Sequence, residues 1–295
     1  QKIRRARGVT AADYDEDGDL DIYVSNYRLQ PNLLWQNDGR GTFRDVASAQ
    51  GVAGIGDLGA WGHTIGSAWG DFDNDGHFDL FVGNFSHPPA YQDRPQFLRN
   101  LGPQESFRFA DMSAKAGLRW QESYASPALA DFDNDGLLDL YFTTVYPGDT
   151  AVLYRNVGKW QFKDVTERAK IRAARTYQAA WADYDRDGDL DLVTGGKLYR
   201  NPGSSHHWIE VRLMGTADVS GTAIGATVRV EVDGRVLVRQ VCSATGQGNQ
   251  NDATLHFGLG NTAGPIALSI RWPNGDEQEV RADVDRLVTV RYEKR

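Results

Sequence analysis

Four copies of a nine-residue acidic loop, DxDxDGxxD, contain the residues of this chain that are best suited to chemistry. They read DYDEDGDLD at 13–21 (loop 1), DFDNDGHFD at 71–79 (loop 2), DFDNDGLLD at 131–139 (loop 3) and DYDRDGDLD at 183–191 (loop 4). Carboxylates spaced this closely repel one another, and a hard divalent cation removes that repulsion. Oxygen ligands, most of them carboxylates, favour Ca²⁺ over Zn²⁺, Cu²⁺ or Mg²⁺. We therefore expect about four Ca²⁺ per chain.

The positions within a loop have different expected roles. Positions one, three, five and nine are aspartate in every copy and can each present an oxygen to one centre. Position six is glycine, because the chain must turn there in a backbone conformation that glycine adopts most readily. Position seven varies, and Leu137 offers no donor side chain, so we expect its backbone carbonyl to bind. The predicted metal ligands are Asp13, Asp15, Asp17, Asp19, Asp21, Asp71, Asp73, Asp75, His77, Asp79, Asp131, Asp133, Asp135, Leu137, Asp139, Asp183, Asp185, Asp187, Asp189 and Asp191.

Two other interpretations of the loops are weaker. The loop resembles the beginning of an EF-hand, but its last acid lies at position nine rather than twelve and no helical pattern flanks it. A solvated turn would explain a single Asp-Gly-rich segment equally well. Four copies with every aspartate in place favour metal binding, and the motif gives no indication of catalysis.

Each acidic loop is flanked by the same pattern of short β-type runs. A stretch of small apolar residues precedes it, a strand-like run follows, and a third run ends in a turn; a fourth run closes three of the units. Four short strands in 50–60 residues are typical of one blade of a β-propeller. We therefore expect an all-β chain with four propeller blades over 1–203. Alanines such as Ala68 and Ala128 suit the inner strand, and Trp69, Phe72 and Trp181 should pack between blades.

The pattern changes near residue 204, where the acidic loops stop. Short β-runs joined by turns continue to the end of the chain, and Asp233-Gly234 and Asn274-Gly275 are strong hairpin signals. We expect a separate small β-sandwich over 204–295. No amphipathic helix of any length is expected.

Charge and composition exclude several functional classes. The formal net charge is −8, which four Ca²⁺ ions would cancel, so the acidity indicates metal ligation. No basic patch is dense enough for nucleic acid, and no apolar stretch approaches the roughly 18 residues that span a membrane. The single cysteine, Cys242, excludes an intrachain disulfide framework and should be a small core residue.

Several features point outside the cytoplasm. Calcium loops of this kind are useful where calcium is millimolar, which favours an extracellular, secreted or cell-surface location. Asn84-Phe85-Ser86 is an N-glycosylation sequon, so the chain is a candidate glycoprotein. The sequence begins with Gln1 rather than Met, and we expect a processed or partial product.

The two halves of the chain resemble two known sequence families. The blade pattern is similar to the FG-GAP or VCBS repeat of integrin α-subunit propellers and of many bacterial secreted proteins. The C-terminal stretch resembles the ASPIC and UnbV domain through GATVRV at 225–230, GQGNQ at 246–250, LHFGLG at 255–260 and RWPNG at 271–275. Repeats followed by this domain make up the cartilage acidic protein family. The resemblance implies extracellular calcium-binding propellers with an adhesion or matrix role, and it supplies no catalytic residue.

The number of blades departs from that family. Its members usually have about seven blades, whereas this chain shows four, and the fourth lacks an obvious outer strand before residue 204. The chain is then a fragment, a closed small propeller, or an open array of blades whose edges another chain covers. An exposed edge is a template for pairing, so self-association is a plausible consequence.

These observations favour a non-enzymatic calcium-binding repeat protein with a structural, adhesive or self-assembling role, which could include filament formation. A carbohydrate-binding propeller is the alternative, and a propeller enzyme is a weaker one. The sequence has no HExxH, GxSxG, glycine-rich phosphate loop or CxxC motif. The expected partner is another copy or another protein chain, and glycans are a further option.

Overall fold

The computed structural model describes residues 4–56, 59–87, 92–216 and 218–294. This part of the chain is all-β, as the sequence predicts. Its helical segments are the short α1 (Ala47–Gln50), α2 (Ser113–Ala116) and a 3₁₀ turn at Pro103–Glu105. None of the described helices is long and apolar enough to cross a membrane.

The first two-thirds of the chain folds into four successive antiparallel sheets, which we call blades 1 to 4. Strand order follows chain order within each sheet, and the fourth sheet has three strands rather than four, as the sequence suggests. The blades comprise β1 (Ala6–Ala12), β2 (Asp21–Asn26), β3 (Leu33–Asn37) and β4 (Phe43–Asp45); β5 (His63–Gly70), β6 (Asp79–Phe85), β7 (Gln96–Asn100) and β8 (Phe109–Asp111); β9 (Tyr124–Ala130), β10 (Asp139–Thr144), β11 (Val152–Asn156) and β12 (Phe162–Asp164); and β13 (Ala179–Ala182), β14 (Asp191–Thr194) and β15 (Lys197–Tyr199).

The acidic loops join the first and second strands of each blade. Strand pairing closes with Gly70 opposite Asp79 in blade 2 and with Ala130 opposite Asp139 in blade 3. The same register recurs in the other two blades. Because every loop connects the same pair of strands, all four loops occupy equivalent places in their blades.

Successive blades pack through their first strands. β5 lies against both β1 and β9, and β13 lies against β9. Small buried residues such as Ala68 and Ala128 allow this close approach, and Trp69 and Trp181 are buried in the clusters between blades, as predicted. Within the described ranges no comparable contact returns from β13 to β1. The blades therefore form an open array, which argues against the closed small propeller.

The C-terminal domain consists of two sheets around one apolar core. One sheet has the order β19-β16-β22, with β16 and β22 parallel, and the other has the order β18-β17-β20-β21. Its core contains Val211, Leu237 and Phe257, all with no exposed surface. The domain boundary expected at residues 203 and 204 stays a prediction. The strands are β16 (His207–Met214), β17 (Thr227–Val232), β18 (Arg235–Gln240), β19 (Leu255–Gly260), β20 (Ile266–Arg271), β21 (Glu277–Ala282) and β22 (Arg286–Arg291).

Candidate metal centres

Each acidic loop gathers three carboxylates at one point. In loops 2, 3 and 4 the aspartates at positions one, three and nine converge, whereas in loop 1 those at positions one, three and five do so. In every group the ligand oxygens lie within 4.8 Å of one another. The groups are Asp13, Asp15 and Asp17; Asp71, Asp73 and Asp79; Asp131, Asp133 and Asp139; and Asp183, Asp185 and Asp191.

Several carboxylate oxygens of the acidic loops are buried without a hydrogen-bond partner among the described residues. They are Asp13 Oδ1, Asp15 Oδ1, Asp21 Oδ2, Asp73 Oδ1 and Asp133 Oδ1. Burying a charged oxygen without compensation is costly, so such oxygens indicate a bound cation. All are carboxylate oxygens, which suits Ca²⁺. The residues present therefore fit the metal that the sequence predicts.

The backbone of each loop wraps around the position-one carboxylate. Asp131 accepts hydrogen bonds from Asp135 N at 3.1 Å and from Gly136 N at 2.8 Å. Gly136 has φ of 89°, a left-handed conformation that glycine tolerates. Side chains at position seven have other partners: His77 Nδ1 is 2.8 Å from Glu16 Oε1, and Asp189 Oδ1 accepts Asn134 Nδ2 at 3.0 Å. The predicted carbonyl ligand at position seven remains compatible with this arrangement.

Position nine ties the loop to the third strand of its blade. Asp139 Oδ1 accepts Asn156 N at 2.7 Å, and its Oδ2 accepts Phe132 N at 3.1 Å. Asp79 makes the equivalent bonds with Asn100 N and Phe72 N. These aspartates therefore close the loop as well as contributing to the acidic group.

A second repeated motif, which was not recognised as functional from the sequence, supports the loops. It reads QNDG at 36–39, RNLG at 99–102, RNVG at 155–158 and RNPG at 200–203. Its arginine bridges positions three and five: Arg99 Nε is 2.8 Å from Asp73 Oδ2, and its Nη2 is 2.9 Å from Asp75 Oδ2. Arg155 and Arg200 do the same in the next two blades. The guanidinium thus holds Oδ2 of Asp73 and leaves Oδ1 available for a metal.

The asparagine of this motif joins neighbouring blades. Asn156 Nδ2 donates to Leu138 O in its own loop and to Phe72 O, 2.9 Å away in loop 2. Asn100 makes the matching pair of bonds to Phe78 O and to Tyr14 O. The fixed spacing of this motif after each acidic loop was the available sequence signal.

The loops also contact one another through position four. Glu16 meets His77 in loop 2, Asn74 Nδ2 donates to Gly136 O at 2.9 Å, and Asn134 Nδ2 donates to Gly188 O at 3.1 Å. Each loop is therefore bonded to the next one along the array.

The C-terminal domain places one side chain at the glycine of every loop. Arg229 Nη1 donates to Gly76 O at 2.6 Å, and Arg235 Nη1 donates to Asp135 O beside Gly136 at 3.2 Å. Arg271 Nη1 donates to Glu16 O, and Arg271 Nη2 lies against Gly18. The Trp208 ring lies so close to Gly188 that an added Cβ would collide with it. In loop 4, position six is therefore restricted to glycine by the Trp208 ring as well as by its φ.

A segment of the C-terminal domain lies along the inner strands of the blades. Gly246 N donates to Ser67 O in β5 at 2.8 Å. Asn249 joins two blades, because its Nδ2 donates to Pro127 O in β9 and its Oδ1 accepts Ala179 N in β13. Asn251 repeats this bridge with Leu129 O and Trp181 N. The GQGNQ motif at 246–250 therefore contributes directly to docking the two domains.

Burial raises the pKa of the loop carboxyls. Desolvation, with neighbouring aspartates adding to it, raises the pKa of Asp71 and of Asp131 to about 7. The fully buried Asp79 and Asp139 have pKa values well above the usual range for the same reasons. Binding of a cation would therefore displace protons near neutral pH.

Two further sequence predictions can be located. Asn84 is 1% exposed, and its Nδ2 donates to Arg94 O at 2.9 Å, so the folded chain does not present this sequon at its surface. Glycosylation of Asn84 in the folded chain is therefore not proposed. Burial raises the pKa of the Cys242 thiol to about 11, as suits a packed, unreactive cysteine.

Comparison with protein families identifies both halves of the chain. The FG-GAP-like repeat model matches residues 13–82 and 131–194, and the ASPIC and UnbV model matches residues 217–295. The chain therefore belongs to the family of FG-GAP-repeat proteins that carry a C-terminal ASPIC and UnbV domain.

The similar curated proteins are cartilage acidic proteins. Cartilage acidic protein 1 of Xenopus tropicalis is 28% identical over 93% of this chain and 42% of the relative. The Homo sapiens protein is 27% identical over 93% of this chain and 42% of the relative. The chain thus spans less than half the length of these relatives.

Two of the solved structures that this chain resembles show a distant likeness. An Agrocybe aegerita lectin that recognises non-reducing terminal N-acetylglucosamine is 17% identical with a TM-score of 0.36, over 68% of this chain and 54% of the lectin. The V. cholerae biofilm matrix protein Bap1 is 11% identical with a TM-score of 0.38, over 95% of this chain and 62% of Bap1. Neither likeness is close enough to carry a functional argument.

Proposed function

We propose that this chain is an extracellular, non-enzymatic calcium-binding repeat protein in which calcium shapes the surface that holds the C-terminal domain. The observation that carries the proposal is the set of buried, unpartnered carboxylate oxygens in loops whose glycines are each contacted by that domain. Calcium outside the cytoplasm is abundant enough to keep weak sites filled.

Calcium would contribute much of the folded stability. A site filled at 100-fold above its Kd adds about 2.7 kcal/mol, because the ion binds the native state and not the unfolded chain. Four such sites would add about 11 kcal/mol, comparable to the entire net stability of a domain. Since the C-terminal domain contacts the same loops, its docking is expected to share this stabilisation.

The test is calorimetry of the full chain in millimolar Ca²⁺ and in EGTA, together with metal content by mass spectrometry. We expect about four Ca²⁺ per chain and a large fall in melting temperature in EGTA. Mg²⁺ at the same concentration is the control for ionic strength and should restore little of the loss. An unchanged melting curve in EGTA would exclude structural calcium.

Self-association is the proposed structural role. Among the described residues β15 pairs only with β14, whereas the third strand of each other blade is paired on both sides. On the same blade Val193 is 50% exposed and Leu198 is 49% exposed, so an apolar face adjoins a free strand edge. Edges of this kind accept an added strand or a second copy.

Light scattering in millimolar Ca²⁺ tests this role. We expect concentration-dependent association that Leu198→Lys weakens, because a charge on the face opposes burial. Thr222→Lys, at an exposed site in the C-terminal domain, is the matched control. A 32.7 kDa monomer at every concentration would contradict self-association.

Glycan binding is a second candidate, supported by one feature. Tyr27 and His63 have ring centroids 4.7 Å apart, and Phe85 and Tyr146 have centroids 5.6 Å apart, in one cluster of aromatic side chains. His87 adds a ring and contacts Glu122 at 2.7 Å. Aromatic faces beside polar groups suit sugar rings. A glycan array with the Tyr146→Ala variant, against Tyr184→Ala as control, tests this; binding unaffected by Tyr146→Ala would exclude the cluster.

A further inference from the structure

A cavity lies between the blades and the C-terminal domain, and two of the predicted metal ligands, Asp131 and Asp183, are among the residues that line it. Its volume is about 140 Å³, and both domains line it. A cavity of about 150 Å³ accepts a molecule the size of benzene, with six heavy atoms. A monosaccharide is therefore too large for this cavity, whereas a molecule of five or six heavy atoms fits.

Four of the residues that line the cavity carry a buried polar atom with no hydrogen-bond partner in the described part of the chain. These atoms are Trp69 Nε1, Arg239 Nη2, Thr245 Oγ1 and His256 Nδ1. Trp69 and His256 are 8% and 7% exposed. A buried polar atom without a partner costs about 1–3 kcal/mol, so four around one space indicate an occupant that bonds them.

Around Arg239, most of the polar groups of the cavity that lack a partner among the described residues are hydrogen-bond donors. Its Nη1 donates to Val238 O at 2.9 Å, and its guanidinium lies over the Phe257 ring, which leaves Nη2 for another acceptor. The indole Nε1–H of Trp69 can only donate. His256 provides an acceptor: its Nε2 is 2.6 Å from Asn134 Oδ1, and because Asn134 Nδ2 donates elsewhere, Nε2 carries the proton and Nδ1 does not.

A carboxylate without a partner lies in the same cavity. Glu210, on β16, is 6% exposed, and none of the hydrogen bonds or ion pairs between described residues involves its carboxylate. Burial, with Asp183 and Asp252 adding to it, raises the pKa of its carboxyl to about 7, and Arg212 and Arg186 oppose this rise. Arg239 and Glu210 therefore share one cavity without pairing with each other.

We propose that this cavity binds a small zwitterion of about five or six heavy atoms, of the class of glycine or alanine. Its carboxylate accepts from Arg239 Nη2 and Trp69 Nε1, and its ammonium donates to Glu210 and to His256 Nδ1. A simple anion would leave the Glu210 carboxylate without a hydrogen-bond donor, and a simple cation would leave Arg239 Nη2 without an acceptor. A dipolar ligand satisfies both, and the charged hydrogen bonds are the stronger kind.

Calorimetric titration of the calcium-loaded full chain with glycine, alanine, leucine, acetate and methylammonium tests the proposal. Glycine and alanine should bind, each more tightly than acetate or methylammonium by at least about tenfold. Leucine should not bind, because its side chain exceeds the cavity. Glu210→Gln, which keeps the size of the side chain, should weaken glycine binding by roughly 10- to 100-fold.

Arg239→Met should weaken glycine binding by the same factor, and Arg281→Met is its control because Arg281 is exposed on β21, outside the cavity lining. Calcium content should be unchanged in Glu210→Gln, so a loss of glycine binding there reports on the cavity. Acetate binding as tightly as glycine, or glycine binding unaffected by Glu210→Gln, would overturn the proposal. A structure determined in glycine that shows only water in the cavity would overturn it as well.

Discussion

Loops 2 and 3 lie inside the array, whereas loops 1 and 4, with the same motif, lie at its ends. At position one, Asp71 and Asp131 are at most 1% exposed. The position-one aspartates of the end loops, Asp13 and Asp183, are only partly buried. The inner loops are bonded to loops on both sides, and each end loop to only one. The comparison teaches that the motif defines the ligands, while the neighbouring blades determine how dry and how rigid each site is.

The largest expected effect comes from removing one ligand in an inner loop. Asp133→Asn keeps the size of the side chain but weakens the ligand whose Oδ1 is buried without a partner among described residues. Loss of one filled site costs about 2.7 kcal/mol, a fall of roughly 5–10 °C in melting temperature for a domain this large. Asp185→Asn in the exposed loop 4 should cost less than half as much. Both are measured by calorimetry and by calcium content.

Equal losses in the two variants would show that burial does not distinguish the sites. A wild-type calcium content in Asp133→Asn would show that the ligand assignment is wrong. Asp139 is a poorer test, because its two oxygens also accept Asn156 N and Phe132 N, and an asparagine amide would oppose one of these donors.

The comparison between loops was only partly accessible from sequence. Four acidic loops with constant spacing predict the blades and the clustered carboxylates, because both follow from local repeats. The supporting arginines were visible too, since Arg99 and Arg155 recur at a fixed distance after their loops. Contacts of Arg229 with Gly76 and of Trp208 with Gly188 were not accessible, because they join distant parts of the chain without any periodic signal. Burial differences between loops depend on the same tertiary contacts.

Substitution of the loop glycines tests the comparison in the opposite direction, because the larger loss of stability is expected at an end loop. Gly136→Ala and Gly188→Ala both place a Cβ at positive φ, of 89° and 91°, which costs about 1 kcal/mol. At Gly136 the nearest atoms belong to the flexible Arg235, but at Gly188 they belong to the rigid Trp208 ring. We therefore expect Gly188→Ala to destabilise the chain more and to displace the C-terminal domain. Thermal unfolding with Trp fluorescence measures both, and similar losses would count against a role for Trp208 in docking.

Stability should depend on pH in opposite ways with and without calcium. Asp71 and Asp131 have folded pKa values of about 7, above their unfolded values, so the calcium-free chain loses stability as pH rises through 7. Calcium binds the ionised carboxyls, so its stabilising effect should grow between about pH 5 and pH 8. Melting temperatures in Ca²⁺ and in EGTA across this range measure the difference. Asp131→Asn should reduce the dependence and Asp185→Asn should keep it; a constant calcium effect would contradict the buried, protonated state.

The smallest expected effect concerns position four, where loops 1 to 3 contact the following loop and loop 4 has none to contact among the four. Asn74 is 6% exposed and donates to Gly136 O, so Asn74→Ala leaves a buried carbonyl without its partner and should cost about 1–2 kcal/mol. Arg186, at the same position in loop 4, is exposed and makes no hydrogen bond or ion pair within the described ranges. Arg186→Ala should therefore stay within about 0.5 kcal/mol of the unmodified chain. Calcium titrations of both variants add a second readout, because Asn74 connects two metal loops. A broader titration in Asn74→Ala but not in Arg186→Ala would show that contacts between loops couple the sites, and identical titrations would show that the four sites fill independently.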